Sequence, residues 1–188
     1  MTSPAPAHAA NESPSGWVSR FAPLVRNGSR VLDVACGQGR HARLFASRGA
    51  QVVAVDRDAA ALARMEGTPG ITTRLLDLEV GTWPLAGEVF DAIVVVNYLH
   101  RPQLPMLFDS LAADGLLLYE TFAAGNEAFG RPSNPAFLLQ PGELLALCHE
   151  RLLPVAFEQG HVRSGARAAV VQRLAAVGRA RPWPPCLP

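Results

Sequence analysis

The sequence predicts an α/β fold, a doubly wound sheet of largely parallel strands that ends in an antiparallel hairpin. Strand-like and helix-like segments alternate along much of the 188 residues, as crossover connections between parallel strands require. The strand-like segments are nearly continuous runs of Val, Ile and Leu, which are typical of strands buried on both faces. Near the C-terminus, two strand-like runs are separated only by residues 161–165, a connection too short for anything but antiparallel pairing.

Each element has its own local signal. Apolar and β-branched runs predict strands at 30–35, 51–56, 71–78, 90–98 and 115–121, followed by the hairpin strands at 152–160 and 166–177. Helical patterns are predicted at 17–25, at 38–48, from Asp58 to about Met65, at 103–113 and at 141–150. Asp58 is a favoured N-cap residue, and Gly49 is a natural C-terminal stop.

These elements form one predicted domain, 16–178, between two segments of different composition. Residues 1–15 are rich in Pro, Ala and Ser, and we expect a mobile N-terminal arm there. Residues 179–188 are rich in Pro and form a predicted C-terminal tail.

Composition and charge argue against several classes of partner. The formal net charge is +1, and all 17 basic residues are arginines scattered along the chain. This balance does not favour a protein that binds nucleic acid or a membrane surface. Cys36, Cys148 and Cys186 are odd in number and lack metal-ligand spacing, so we expect reduced thiols and no metal site. With neither a signal peptide nor a spanning segment in the sequence, we expect a soluble, cytoplasmic protein.

The glycines after the first predicted strand raise the question of which ligand they serve. In "VLDVACGQGRHA" (31–42), Gly37 and Gly39 satisfy the G-x-G-x-x-G/A fingerprint of dinucleotide sites. Asp33, however, lies on the strand four residues before Gly37, where its carboxylate would repel a pyrophosphate. A carboxylate there favours a ligand with positive charge, such as a sulfonium or an α-ammonium group.

Two further carboxylates follow the next strands. In a doubly wound sheet, ligands bind beyond the carboxyl ends of the strands, beside the first strand. Asp56 ends the second predicted strand and can accept both hydroxyls of a ribose. Asp77, with the backbone amide of Leu78, can contact the edge of an adenine. Each carboxylate alone could equally be a capping residue, but together they indicate a cationic nucleoside.

These motifs resemble those of the class I S-adenosylmethionine-dependent methyltransferases. "VLDVACGQG" is similar to the glycine motif of that superfamily, "VVAVDRD" to its ribose-binding acidic motif, and "LLDLE" to its adenine-binding motif. The resemblance covers roughly Trp17 to Val177. It implies a Rossmann-like sheet of seven strands in the order 3-2-1-4-5-7-6, with S-adenosylmethionine as cofactor.

The resemblance also implies roles for individual residues. Asp33 would order the methionine amino group, directly or through water, and Ala35 and Gly37 would line the methionyl chain, with Gly39 as a further cofactor-binding residue of the same loop. Asp56 would hold the ribose hydroxyls, with Arg57 flanking the adenine and Asp77 and Leu78 at its edge. Asn97 would stand below the transferring methyl group.

The segment after the fourth predicted strand limits the classes of methyl acceptor that the sequence favours. Within the superfamily the chain resembles small bacterial enzymes of the tellurite-resistance and thiopurine-methyltransferase type. Methylases of nucleobase amino groups carry Asn or Asp followed by Pro-Pro and an aromatic residue at this position. Here "NYLH" (97–100) has Tyr98 and Leu99 in place of the prolines. We therefore expect a small-molecule acceptor and no nucleic acid.

Several residues are candidates for the acceptor side. Tyr98, His100, Glu120, Phe129 and Arg131 are predicted to contact the acceptor, and His100 is the candidate general base. Glu120 could instead pair with an arginine such as Arg131. The loop 122–140 is long enough to be a lid, or an excursion packed by its own aromatic side chains.

Two alternatives remain open at this point. A small NAD-dependent oxidoreductase would also use Asp56, although Asp33 and the terminal hairpin argue against it. A protein that binds S-adenosylmethionine without turnover is the other alternative, since methyl transfer demands no particular catalytic side chain.

Overall fold

The strands form a single sheet, with the predicted order. The computed structural model describes residues 13–164, 167–185 and 187–188. The seven strands, counted along the chain, lie in the order 3-2-1-4-5-7-6, and only the seventh runs antiparallel to its two neighbours. This confirms both the fold class and the antiparallel ending.

The first half of the chain contains the parallel units. Its elements are α1 (Gly16–Phe21), β1 (Arg30–Val34), α2 (Arg40–Ala46), β2 (Gln51–Asp56), α3 (Ala59–Ala63), β3 (Ile71–Leu75) and β4 (Phe90–Val96). Asp58 caps α3 as predicted, accepting hydrogen bonds from the backbone N–H groups of Ala60 and Ala61. A short 3-10 helix, Ala22–Leu24, continues α1.

The second half completes the sheet. Its elements are α4 (Leu104–Asp109), β5 (Leu111–Phe122), α5 (Glu143–Cys148), β6 (Leu152–Ser164) and β7 (Arg167–Gly178), with 3-10 helices at Arg101–Gln103, Asn126–Ala128 and Pro135–Phe137. The predicted helix 103–113 is too long, because Leu111 already pairs with Phe90 of β4. The predicted strand 71–78 ends earlier, at Leu75, so Asp77 lies in the loop beyond it.

Two apolar layers cover the sheet, one on each face. One contains Leu32 and Ile93 with α4 and α5, and the other contains Val31 and Val94 with the first three helices. Because side chains alternate along a strand, each strand supplies both layers. This double covering leaves the carboxyl ends of β1, β2 and β4 as the edge at which a ligand can enter. No helix in the described residues is long and apolar enough to cross a membrane.

Candidate active site

Unusual backbone geometry marks the carboxyl ends of β1 and β4. Ala35 has a φ of 50° and Asn97 a φ of 59°, and both values lie in the left-handed region that residues with a Cβ rarely adopt. The N–H of Asn97 donates to the carbonyl of Glu120 at 2.9 Å, which fixes this turn against β5. Such strained residues cluster at functional sites, and these two follow neighbouring strands at the switch point of the sheet.

The two glycines of the loop after β1 have different surroundings. Gly37 has a φ of +54°, and a Cβ placed there would meet nothing within 4 Å. Gly39 has a φ of +78°, and a Cβ there would lie 1.8 Å from Sδ of the buried Met65. Gly37 therefore leaves open space beside bare backbone, whereas Gly39 is needed for packing at the start of α2.

Asp33 is a buried carboxyl group with one unpaired oxygen. Its side chain is 1% exposed, and within the described residues Oδ2 has no hydrogen-bond partner. Burial raises the pKa of Asp33 to about 7, with Asp56 adding to the shift, while the backbone N–H of Ala42 and the charge of Arg40 oppose it. A cationic ligand above this carboxyl would supply the missing partner.

Asp56 joins the end of β2 to the glycine loop. Its Oδ2 accepts a hydrogen bond from the N–H of Gly37 at 2.7 Å, and its Oδ1 accepts from the N–H of Asp58 at 2.9 Å. Each carboxylate oxygen has a further lone pair. Both can therefore accept a ligand hydroxyl without giving up these contacts.

Beyond Asp56 the crevice widens into a cavity. Its volume is about 680 Å³, and it is lined by Arg57, Asp58, Ala59, Ala60, Leu75, Leu76 and Asp77. Arg57 forms an ion pair with Glu79 at 3.3 Å, and Oδ1 of Asp77 accepts from the N–H of Glu79 at 2.8 Å. The side chain of Leu78 packs into the core, so only its backbone is available to a ligand.

The segment after β4 brings Tyr98 and His100 to the same edge. The Tyr98 hydroxyl is buried and has no partner among the described residues. Burial raises its pKa, and the charges of Glu79 and Asp77 raise it further. The hydroxyl of Tyr119 donates to the Tyr98 carbonyl at 2.9 Å and holds this segment in place. His100 is half-buried at the start of the next 3-10 helix.

The sequence offered Arg131 as a partner for Glu120, but the two side chains do not pair. Oε1 of Glu120 accepts from Arg173 of β7, with N–O distances of 3.2 and 3.3 Å, and Oε2 accepts from the hydroxyl of Ser15. Glu120 faces Arg173 directly across the β5–β7 pairing. The sequence suggested an arginine partner, but only the register of the sheet selects which one.

The loop 122–140 is held at its base and exposed at its tip. Arg101 forms two hydrogen bonds with the Glu143 carboxylate, at 2.6 and 2.9 Å, and donates to the carbonyls of Ala136 and Leu138. At the tip, Phe129 stacks on His161 with ring centroids 4.6 Å apart. Further exposed residues of the tip are Arg131 and Phe137.

Two residues of the glycine loop and α2 are buried, and burial disfavours the charged form of each. His41 accepts a hydrogen bond from the N–H of Ser15 at 3.1 Å, and burial lowers its pKa to about 3. Burial likewise raises the pKa of the Cys36 thiol, so a nucleophilic thiolate is disfavoured. Cys148 is also a buried free thiol, whereas Cys186 lies outside the described residues.

Comparison with known proteins decides the family. A family model described as a methyltransferase domain matches residues 31–113. The chain is 30% identical over 184 residues to a ubiquinone biosynthesis O-methyltransferase of Paracidovorax citrulli, a match covering 82% of this chain and 75% of that protein. The chain belongs to the class I S-adenosylmethionine-dependent methyltransferases.

Solved structures agree with this assignment at the level of the fold. The methyltransferase superposes on TehB from Haemophilus influenzae with a TM-score of 0.75 and 18% identity, covering 88% of this chain and 63% of TehB. For the 1,6-didemethyltoxoflavin-N1-methyltransferase of Burkholderia thailandensis, whose structure contains S-adenosylhomocysteine, the TM-score is 0.63 with 22% identity, covering 86% and 75%. These likenesses confirm the expected resemblance to TehB-type enzymes.

One relative acts on a macromolecule according to its name. The methyltransferase is 32% identical over 120 residues to a tRNA U34 carboxymethyltransferase of Alcanivorax borkumensis, a match covering 57% of this chain and 37% of that protein.

The family assignment excludes the NAD-dependent oxidoreductase considered from the sequence. Among the described residues, no group of three or more His, Cys, Asp and Glu side chains is arranged to hold a metal ion.

The sequence did not reveal two connections of the methyltransferase. The Arg101–Glu143 pair joins residues 42 positions apart, and Ser15 contacts Glu120 from 105 positions away. Neither pair has a local pattern that would single it out. The one sequence signal for Arg101 was its position directly after the "NYLH" motif.

Proposed function

We propose that this methyltransferase transfers the methyl group of S-adenosylmethionine in line to a small-molecule acceptor. The observation that carries this proposal is the pairing of three arginines around the crevice with carboxylates. Arg57, Arg101 and Arg173 each pair with a carboxylate, on Glu79, Glu143 and Glu120 respectively. A phosphate backbone needs unpaired cations along its path, so this rim favours a small acceptor over a nucleic acid.

The site residues fit the cofactor in its expected place. Asp33, with its unpaired oxygen, suits the cationic amino group, and the open space at Gly37 allows the methionyl chain to approach the backbone between Ala35 and Gly39. Asp56 retains a free lone pair on each oxygen for the ribose hydroxyls. Arg57, Asp77 and the backbone of Leu78 line the cavity proposed for adenine, and Asn97 borders the methyl position.

The chemistry follows from this placement. The bound sulfonium supplies an already activated methyl group, so the protein has to align the acceptor and exclude water. Tyr98 and His100 border the crevice after β4, and the loop tip with Phe129 and Arg131 covers the side beyond β5. His100 is the proposed general base for an acceptor that must lose a proton.

The proposal is tested with purified protein and separate classes of acceptor. S-Adenosylhomocysteine formation is measured with phenols, amines, thiols and oxyanions, and in parallel with bulk tRNA. Oxygen and nitrogen acceptors come first, since related proteins are named as an O-methyltransferase and an N1-methyltransferase. Turnover that depends on one small class supports the proposal. Turnover with tRNA alone contradicts it.

We also propose a cytoplasmic location. Cys36 and Cys148 are free and buried in the structure, and unpaired thiols suit a reducing compartment. Fractionation of the source cells, with detection of the protein in the cytosolic fraction, tests this.

A further inference from the structure

Ser15 fastens the N-terminal segment across the open edge of the sheet. Its hydroxyl accepts a hydrogen bond from the N–H of Trp17 at 3.1 Å and donates to the Glu120 carboxylate. Its N–H donates to Nε2 of His41 at 3.1 Å, and its carbonyl accepts from the N–H of Ser19 at 2.8 Å. All hydrogen-bonding groups of Ser15 are therefore used, and they join three separate parts of the fold.

Asp33 and Glu120 lie on the same face of the sheet, the face that the N-terminal segment crosses. Asp33 pairs with Val94 of β4, and Glu120 pairs with Val96. Val94 and Val96 are two residues apart and so project from one face. Two strand spacings and two residues of rise separate Asp33 from Glu120 by about 12 Å between Cα atoms.

The other anchor of Ser15 lies above Asp33. His41 is in the first turn of α2, and the N–H of its neighbour Ala42 donates to the Asp33 carboxyl. Because Ser15 contacts both His41 and Glu120, the segment runs from above Asp33 towards the end of β5. Asp33, whose Oδ2 is unpaired, lies on the same face of the sheet as Glu120.

The anchors themselves are firmly held. Arg173 bonds Oε1 of Glu120 and also reaches Glu158 at 3.2 Å, so the Glu120 carboxylate is neutralised while its other oxygen holds Ser15. Trp17 is 4% exposed, and its indole N–H donates to the carbonyl of Leu174 at 3.3 Å. A low pKa keeps His41 neutral near pH 7, so Nε2 can accept the Ser15 N–H.

We propose that residues 13–15 form a strap over the methionyl end of the cofactor site, with Ser15 as the positioning residue that keeps it shut. The inference rests on the cofactor placement within the proposed function. Cofactor and product must then pass the strap, so opening it controls how fast they exchange. Glu120 acts as the latch of the strap, and its carboxylate does not contact the acceptor while the strap is shut.

The test measures the dissociation rate of S-adenosylhomocysteine from three full-length proteins. Ser15→Asp keeps an oxygen that can cap α1, but it cannot donate to Glu120 and is repelled by it. Ser15→Thr keeps both functions and is the matched control. Loss of a hydrogen bond to a charged group corresponds to about tenfold in an equilibrium or rate. We expect dissociation about tenfold faster for Ser15→Asp and unchanged for Ser15→Thr.

A second variant separates the strap from general damage to the fold. His41→Leu removes the acceptor of the Ser15 N–H without touching Glu120. If both contacts close one strap, S-adenosylhomocysteine dissociates from the Ser15→Asp/His41→Leu double variant little faster than from either single variant. The first substitution already opens the strap, so the second adds little. Hydrogen exchange at the Ser15 and Trp17 amides should also slow when S-adenosylhomocysteine binds the wild type.

The outcomes that test the strap are distinct from those that test the small-molecule acceptor. A dissociation rate for folded Ser15→Asp within twofold of the wild type, with unchanged exchange at Ser15, overturns the strap. These measurements need no acceptor. Failure to find a methylated small molecule would therefore leave them standing, and failure of the strap would leave the acceptor proposal untouched.

Discussion

The carboxylate of Asp56 accepts a hydrogen bond from the backbone N–H of Gly37, with an Oδ2–N distance of 2.7 Å. This contact joins the ends of β1 and β2, the two strands whose following loops carry the proposed methionyl and ribose contacts. One side chain thus shapes the glycine loop and offers its remaining lone pairs to a ligand.

Replacing Asp56 tests both roles. Asp56→Ala removes the proposed ribose acceptor and leaves the Gly37 N–H unpaired, so S-adenosylmethionine binding should weaken by ~1–3 kcal/mol, as on removal of a partner of buried polar groups. Asp56→Asn keeps one acceptor oxygen and should lose less. Calorimetric titration measures both. Unchanged affinity in folded Asp56→Ala would refute the ribose placement.

The two glycines of the loop should respond to alanine in opposite ways. Gly39→Ala drives a Cβ into the buried Met65 and should lower the free energy of unfolding by about 3 kcal/mol through strain and overpacking. Gly37→Ala meets open space and should cost only about 1 kcal/mol, yet it should weaken cofactor binding at least tenfold.

Denaturant titrations and binding isotherms of the two glycine variants separate these effects. Equal stability losses would show that the packing difference between Gly37 and Gly39 is unimportant. Normal cofactor affinity in Gly37→Ala would remove the methionyl chain from this loop.

Asp33 should make the stability of the ligand-free protein depend on pH. Its pKa is about 7 in the fold, against an ordinary value of 3.8. The folded state therefore binds the proton more tightly, and the free energy of unfolding should fall as pH rises from about 4 to 7, then level off. The full shift corresponds to about 4 kcal/mol.

Asp33→Asn is the control for this pH dependence. The variant should lack that fall and be more stable than the wild type at pH 8, while binding S-adenosylhomocysteine more weakly. Denaturant titrations at pH 5 and pH 8 measure the difference. The same slope in both proteins would assign the dependence to other groups.

The Arg101–Glu143 pair should keep the loop 122–140 in place. Arg101 lies directly after His100 and bonds Glu143 and two loop carbonyls. Arg101→Gln should make the loop more sensitive to proteolysis at 127–137 and raise the KM for the acceptor with a smaller change in kcat. Removing the pair favours an open loop without altering the cofactor contacts.

A second arginine gives the matched comparison. Arg151 pairs with Asp109 at 2.7 Å on the surface, away from the loop, and such exposed pairs contribute about 0–1 kcal/mol. Arg151→Gln should leave proteolysis at 127–137 and the KM unchanged. If both variants behave alike, the loop does not depend on Arg101.

Local sequence signals predicted the parallel half of the fold well. The strand predicted at 51–56 has the same bounds in the structure, and Asp58 caps the following helix as predicted. Both features depend on neighbouring residues, so local patterns reveal them. The helix predicted at 103–113 extends too far, since Leu111 pairs with β4 and no local pattern shows that. Tertiary pairing overrode the helical preference of the alanines at 112 and 113.

The site divides in the same way. Asp33 and Asp56 are proposed from their positions at strand ends, which a linear pattern reveals. The partner of Glu120 could not be found in this way, because Arg173 is selected by the antiparallel register of β5 and β7. Nor could the contacts of Ser15, which depend on how the N-terminal segment crosses the finished sheet.

Transfer of labelled methyl groups into a fractionated cell extract tests the central claim most directly. The protein is incubated with methyl-labelled S-adenosylmethionine and extract, and ultrafiltration then separates small molecules from macromolecules. We predict that chromatography of the filtrate resolves a labelled small molecule other than S-adenosylmethionine, and that Asp56→Ala reduces this transfer. Transferred label found only in the macromolecular fraction, and released from it by ribonuclease, would contradict the account.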